Sequence, residues 1–247
     1  IADMEYWLKD RYTPLNELTE ATCGNRTLKT LTHPISSTFS ITFSAPSQLK
    51  ELLNAIHEDA YLSIQSLVLA AFVQAYTSLT GASHVWIDLE GHGRDLGDQA
   101  ANQLSKYTHA IGWFTALFPI CFSFSTAIVD DFKKLARSIE TQLRAVPHQG
   151  ISYGLLRYLH SSVTIREQLA ALPRPVICLN YLGIRRSYVA HELFHLPSDF
   201  LSFSSDNSNP LPHPLELNCY LTQEGFTMNY IYDEQRISTS LVNTLLE

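Results

Sequence analysis

Basic residues are scarce in this chain: 17 lysines and arginines stand against 24 aspartates and glutamates in 247 residues, and they form no run anywhere. That balance argues against nucleic acid as a partner, because phosphate binding needs a basic patch. Long apolar runs are absent too. No stretch reaches the roughly 18 to 20 residues that cross a bilayer, and the first residues, Ile1 to Leu8, lack the basic-then-apolar layout of a signal peptide. The expectation is a cytoplasmic protein without membrane contact. Cysteine is rare, and Cys23, Cys121, Cys178 and Cys219 lie far apart, three of them in apolar strand-like runs. Reduced, packed thiols fit this pattern, and no short-spaced couple suggests a zinc site. Asn25-Arg26-Thr27 has the form of a glycosylation sequon, without meaning outside a secretory context.

What is present is a 45% hydrophobic chain long enough for one large domain or two small ones. The segment from Asp3 to Arg11 reads as a helix that stops near Pro14, and residues 12 to 36 are polar and without period, as in a linker. Thr38 to Phe43 alternates as a strand, and Ser47 caps a short helix to about His57. A helix is expected over Ile64 to Leu79, capped by Ser63, stopped by Gly81, and apolar nearly all round, hence buried. Asp130 to Val146 predicts an amphipathic helix, Gly150 to Leu159 a turn into a short helix, and Ile165 to Leu172 another. Trp113 to Phe124 and Pro175 to Leu182 read as apolar strands, the latter buried. Residues 184 to 214 read as loop. Leu215 to Thr222 and Phe226 to Tyr232 flank Gln223-Glu224-Gly225 as a hairpin, and Ser238 caps a closing helix to Leu246. The mixture predicts an α/β fold with a mixed sheet.

One stretch stands out chemically: Leu89-Glu90-Gly91-His92-Gly93-Arg94-Asp95, followed by Gly112-Trp113-Phe114-Thr115. From His84 onward the residues alternate, with Val85, Ile87 and Leu89 on one face and Trp86, Asp88 and Glu90 on the other, more polar one. Glu90 thus ends a strand beside glycines that permit close backbone approach. A glycine turn after a strand is the plain reading. A carboxylate held there for acid/base work is the other.

Five segments in order resemble the epimerization branch of the condensation superfamily of nonribosomal peptide synthetases. They are the helix Ile64 to Gly81, Glu90-Gly-His-Gly-Arg-Asp95, Ile111-Gly-Trp-Phe-Thr115 with Pro119, Gly150-Ile-Ser-Tyr-Gly to Leu159, and Leu179-Asn-Tyr-Leu-Gly183. The resemblance implies the C-terminal lobe of a chloramphenicol-acetyltransferase-like fold over residues 1 to 247, with 1 to 36 as an inter-lobe connection. The family's N-terminal lobe carries His-His-x-x-x-Asp-Gly, and this sequence has neither adjacent histidines nor an Asp-Gly pair. The expectation is therefore half a domain, inactive alone.

By resemblance, Glu90, Asn180 and Tyr181 are catalytic: Glu90 as one acid/base, Asn180 and Tyr181 as donors to a developing enolate. Without the family, Tyr181 reads as a packed phenol and Asn180 as a turn cap. Gly91, His92, Gly93 and Arg94 are expected to support the motif, His92 as a hydrogen-bonder and Arg94 by holding the motif or pairing across the lobes. Burial beside Trp86 would raise the Glu90 pKa and Arg94 would oppose the rise. Trp113, Phe114 and Thr115 form either a cleft wall or core packing, and Tyr153 and Arg157 stand likewise. The implied activity inverts the α-carbon of an aminoacyl or peptidyl thioester on a carrier protein. That partner delivers the phosphopantetheine arm, and no cofactor is bound by the chain itself. A condensation domain lobe, forming peptide bonds, and a non-catalytic carrier-protein docking lobe remain as alternatives. Departures from the family pattern fall at Asp95, His109, Ala110, Ser152 and Ile184. His191-Glu-Leu-Phe-His195 spells a zinc-protease pattern, but β-prone Ser187-Tyr-Val before it and Pro197 after it oppose the helix that chemistry requires, so no metal is expected.

Overall fold

The computed structural model describes residues 2–8, 36–43, 61–94, 110–184, 211–222 and 225–246. Outside them lie Cys23, the sequon, most of the expected linker, the helix expected from Ser47, Asp95 and the loop after it, His109, and the His-Glu-Leu-Phe-His stretch.

Among the described residues six strands form one mixed sheet: β1 (Ser36–Phe43), β2 (His84–Gly91), β3 (Ala116–Ser123), β4 (Ile177–Ile184), β5 (Leu215–Leu221) and β6 (Phe226–Asp233), in the order β1-β6-β5-β4-β2-β3. β4 runs parallel to both β2 and β5, whereas β2–β3, β5–β6 and β1–β6 are antiparallel. The helices are α1 (Ala2–Leu8), α2 (Ile64–Thr80), α3 (Phe132–Arg144), α4 (Val163–Ala170) and α5 (Thr239–Leu246), with a single turn at Thr126–Val129. A compound segment runs through a 3₁₀ turn (Pro147–Gly150), an α turn (Ile151–Gly154) and a π turn (Leu155–Leu159).

Local sequence accounts for the α2 ends. Ser63 Oγ accepts from Ser66 N while Ser66 Oγ accepts from Ser63 N, and Gly81 closes the helix at φ 70 with its N–H on Thr77 O, 2.7 Å away. Leu69, Ala70 and Val73 are fully buried, but Ala71, Ser78 and Leu79 reach solvent, so one edge of this apolar helix is left uncovered. α3 is shorter than the expected 130–146. Asp131 leaves the helical region to cap it, accepting from Lys134 N at 3.1 Å, and this cuts the preceding turn away.

Glu140 of α3 reaches across to the α2 cap. It is 5% exposed, its Oε2 accepts from Ser63 Oγ (2.6 Å) and Ser63 N (3.1 Å), and its Oε1 pairs with Arg144 Nε at 2.7 Å. Burial alone would raise its pKa, but the hydrogen bonds from Ser63, Arg144 and Ser66 hold it below the usual glutamate value. Glu140→Ala is expected to cost about 2–3 kcal/mol by stranding these donors, read as a lower urea midpoint with an unchanged slope.

The core lies between one sheet face and α2 and α3: Val85, Ile87 and Leu89 of β2, Ile177 and Leu179 of β4, and Leu215 and Leu217 of β5 pack with Leu69, Val73, Leu135 and Ile139. α1 adds Trp7, 1% exposed, whose Nε1 donates to Ser152 Oγ at 2.9 Å and whose ring meets Tyr153 and Phe118 edge-on. Two expectations change here. The other face of β2 is buried as well, with Trp86 at 3% and Asp88 at 8% exposure, so its polarity lies in residue type and not in contact with water. β4 is buried only over Ile177–Leu179, because β2 pairs with it at those positions alone; beyond them Leu182 and Ile184 project into solvent.

Candidate active site

Parallel pairing of Asp88 with Cys178 and of Leu89 with Leu179 puts Glu90 and Asn180 side by side on the same sheet face. Asn180 Nδ2 donates to Glu90 Oε2 at 2.9 Å. Around this pair lies a cavity of about 400 Å³ lined by Glu90, Gly91, His92, Arg94, Gly112, Trp113, Phe114, Thr115, Asn180, Tyr181 and Leu182. Segments far apart in sequence thus meet in one open depression.

The glycines explain how the loops close on each other. At Gly93, φ is +67, and a Cβ would lie 1.4 Å from the carbonyl oxygen of Phe114. At Gly91 a Cβ would stand 3.0 Å from the Gln149 carbonyl, in a turn where His148 and Gln149 also take left-handed angles. Arg94 then ties the two motif loops together: Nη2 donates to Ala110 O at 2.9 Å, and the guanidinium stacks 4.5 Å from the Phe114 ring centroid. Its Nε is buried without a hydrogen-bond partner among the described residues.

The remaining sequence candidates separate. Trp113 is 87% exposed and Thr115 is exposed, which rules out core packing for them and leaves the wall of the depression. His92 is exposed and makes no hydrogen bond among the described residues, in contrast to the hydrogen-bonding role expected of it; the turn at Gly91–Gly93 aims it at solvent. Tyr181 follows Asn180 and so faces the opposite side of the sheet. It packs on the core beside Cys219, its hydroxyl is buried without a hydrogen-bond partner among the described residues, and burial pushes its pKa up to about 12. Tyr153 and Arg157 line a neighbouring cavity of about 540 Å³, which shares Phe114 and Thr115 with the first.

A charged group that the sequence reading overlooked adjoins Glu90. His213, in the segment leading into β5, places Nε2 2.7 Å from Asp88 Oδ2 and Nδ1 3.7 Å from Glu216 Oε1. Burial works against a charged imidazole here, but the hydrogen bond with Asp88 and the nearby charges of Asp88 and Glu216 outweigh it and take the His213 pKa up to about 9. Glu90 is also raised, first by burial and then by the Glu216 charge, with His213 as the opposing cation where Arg94 had been expected. Strand alternation was a usable signal for Asp88 and Glu216; Pro212-His213-Pro214 read only as a turn. Since the folded His213 pKa exceeds the ordinary 6.5, its ion pairs stabilise fully below about pH 6.5 and fade as pH rises through about 9. His213→Gln should flatten that decline, seen in urea midpoints taken from pH 6 to 10.

The sequence matches the condensation-domain family over residues 2–247. This chain belongs to that family. Among relatives of the condensation-family chain, surfactin synthase subunit 1 of Bacillus subtilis (strain 168) is 27% identical over 99% of the chain, and bacitracin synthase 3 of Bacillus licheniformis is 26% identical over 100%. The matched regions are 6% and 4% of those proteins. The epimerization domain from the third module of tyrocidine synthetase B superposes with a TM-score of 0.69 at 21% identity, covering 99% of this chain and 55% of that one. A cyclization-docking bidomain from Sorangium cellulosum gives 0.63 at 15%, covering 99% and 46%. The condensation-family chain thus spans about half the length of these solved structures, and the mixed sheet with packed helices is the chloramphenicol-acetyltransferase-like architecture of that fold.

Chemically, the site of this condensation-family chain offers a carboxylate of raised pKa, oriented through one oxygen by a neutral amide. Among the described residues its second oxygen has no hydrogen bond and is free to exchange a proton.

Proposed function

We propose that this chain is the C-terminal lobe of a nonribosomal peptide synthetase epimerization domain, converting carrier-bound L-aminoacyl or peptidyl thioesters to the D form. The observation that carries the reading is the half-buried Glu90 carboxylate, raised in pKa and held by Asn180 in an open cavity. A thioester α-proton is weakly acidic, so its removal needs a base that stays strong near neutral pH, and burial supplies that strength. Glu90 takes the α-proton, the C–H electron pair becomes the Cα=C bond of an enolate, and the carbonyl π pair moves onto the thioester oxygen. A group on the opposite face returns a proton to the α-carbon as the enolate oxygen pair re-forms the carbonyl; Glu90 then loses its proton to water and the opposite group regains one from it. By family resemblance the opposite group is a histidine of the N-terminal lobe.

Asn180 serves as a positioning group, because its amide is engaged by Glu90 Oε2. Tyr181 has no enolate-binding part in this proposal, since its hydroxyl lies on the other side of the sheet. The carrier protein brings the substrate on its phosphopantetheine arm past Trp113, Phe114 and Thr115, whose exposed apolar surfaces border the cavity.

The test uses the intact domain with its loaded carrier in deuterated water. Conversion of L to D substrate with deuterium entering the α-position supports the proposal. Dipeptide formation from two loaded carriers without α-exchange would replace it with a condensation function, and carrier binding with neither reaction would leave a docking lobe.

A further inference from the structure

The face that carries Glu90 is built in rows. Strand register aligns Asp88 of β2 with Cys178 of β4 and Glu216 of β5; on the same face, just past the last β2–β4 pair, Asn180 is aligned with Asn218 and hydrogen-bonded to Glu90. Successive same-face rows are about 7 Å apart, and strands two apart are separated by roughly 10 Å. His213 fills the gap between the carboxylates of the first row, with Asp88 Oδ2 at 2.7 Å from Nε2 and Glu216 Oε1 at 3.7 Å from Nδ1. Only 7% of His213 is exposed.

A neutral imidazole has one N–H and one lone pair, so it satisfies a carboxylate at one nitrogen and opposes one at the other. Nε2 is hydrogen-bonded to Asp88 at 2.7 Å, and at Nδ1 the Glu216 carboxylate 3.7 Å away is an ion contact that a charged ring favours and a lone pair opposes. The geometry therefore assigns His213 a positive charge, bracketed by two negative ones. With Glu90 ionised, the two adjacent rows hold three carboxylate charges against this one imidazolium, which contacts Asp88 and Glu216; with Glu90 protonated they hold two. The groups facing this patch are Asp88 from β2, Cys178 and Asn180 from β4, Glu216 from β5, and Tyr153, Arg157 and Arg174 from the wall of the adjoining cavity. Of the cations among them, His213 alone is buried between the carboxylates, and Arg157 is turned onto the Tyr158 ring, 5.0 Å from its centroid.

We propose that His213 is a positioning residue for Glu90: its imidazolium, clamped between Asp88 and Glu216 one row away, sets the charge against which Glu90 gains and loses its proton. This rests on the reading of Glu90 as the proton acceptor. Without the cation, Glu90 would face two uncompensated carboxylates and remain protonated where a base is needed. Without Glu216, the balance would move the other way and leave a weaker base.

The experiment is a carboxyl-carbon NMR titration of the full 247-residue chain with glutamate labelled at the δ-carbon, the Glu90 signal being identified by its loss in Glu90→Gln. The His213→Gln variant is expected to raise the Glu90 midpoint by about one pH unit, and Glu216→Gln to lower it by about one. Opposite shifts are a signature that loosened packing would not produce. Shifts of the same sign, or both below about 0.2 unit, would overturn the proposal. Should His213→Gln fail to fold, Glu216→Gln and the wild-type imidazole nitrogens decide: two protonated nitrogens at pH 7 support the clamp, and a neutral tautomer refutes it. Because the titration involves no turnover, opposite shifts together with an intact domain that fails to epimerise would remove the acid/base reading of Glu90 and leave the charge coupling standing.

Discussion

Glu90→Gln in the intact domain is expected to slow conversion of carrier-bound L substrate to the D form by about 10²- to 10⁴-fold, the range that a positioned acid or base supplies. Glutamine has the same shape, and its side-chain oxygen can still accept from Asn180 Nδ2, which holds Glu90 at 2.9 Å. What disappears is the ability to take a proton. Folding should not suffer, because the substitution removes a charge that burial and Glu216 both disfavour. A thermal midpoint at or slightly above wild type, together with the lost activity, would separate chemistry from stability. In the wild type the rate should rise with pH through the raised Glu90 value, since the base acts only when deprotonated. Single-turnover assays of the D product would measure both effects, and undiminished conversion by the variant would remove Glu90 from the reaction.

Gly93→Ala is expected to be the most damaging glycine substitution within the motif. A methyl group there would enter the Phe114 carbonyl at 1.4 Å, and φ is +67, so steric overlap and left-handed strain coincide. The combined cost is about 3 kcal/mol or more. Gly81→Ala is the control: φ is similar at +70, but nothing lies within 4 Å, so only the conformational cost of about 1–2 kcal/mol applies. Urea unfolding of the two variants should show Gly93→Ala losing clearly more stability. It should also free Arg94 from Ala110 and disorder the loop bordering Glu90. Equal losses would mean that the contact between the two motif loops is weaker than the geometry indicates.

Much of the architecture was legible because local rules and tertiary structure agree. Ser63 and Gly81 bound α2 for reasons contained in a few residues, and Gly225 closes a hairpin between β5 and β6 whose alternation was visible. Agreement broke where a neighbour decides. The strand predicted as buried through Leu182 is buried only while β2 lies beside it, and no periodicity reports where a partner strand ends. The helix expected from Asp130 begins later because Asp131 has the competing option of capping it. His92 was expected to bond and instead faces solvent, since the direction of a side chain after a glycine turn depends on how the chain leaves that turn.

By itself, the sequence determined the order of strands and helices, the family, and the presence of a carboxylate between a strand and a glycine turn. Those follow from period, caps and motif spacing, which are properties of neighbouring residues. Only the tertiary structure decided that Asn180 engages Glu90 while Tyr181 faces the core, and that His213 stands between Asp88 and Glu216. The physical reason is strand register. A shift of one residue between β2 and β4 would exchange every side chain across the sheet, and that register is set by packing of residues nearly a hundred positions apart.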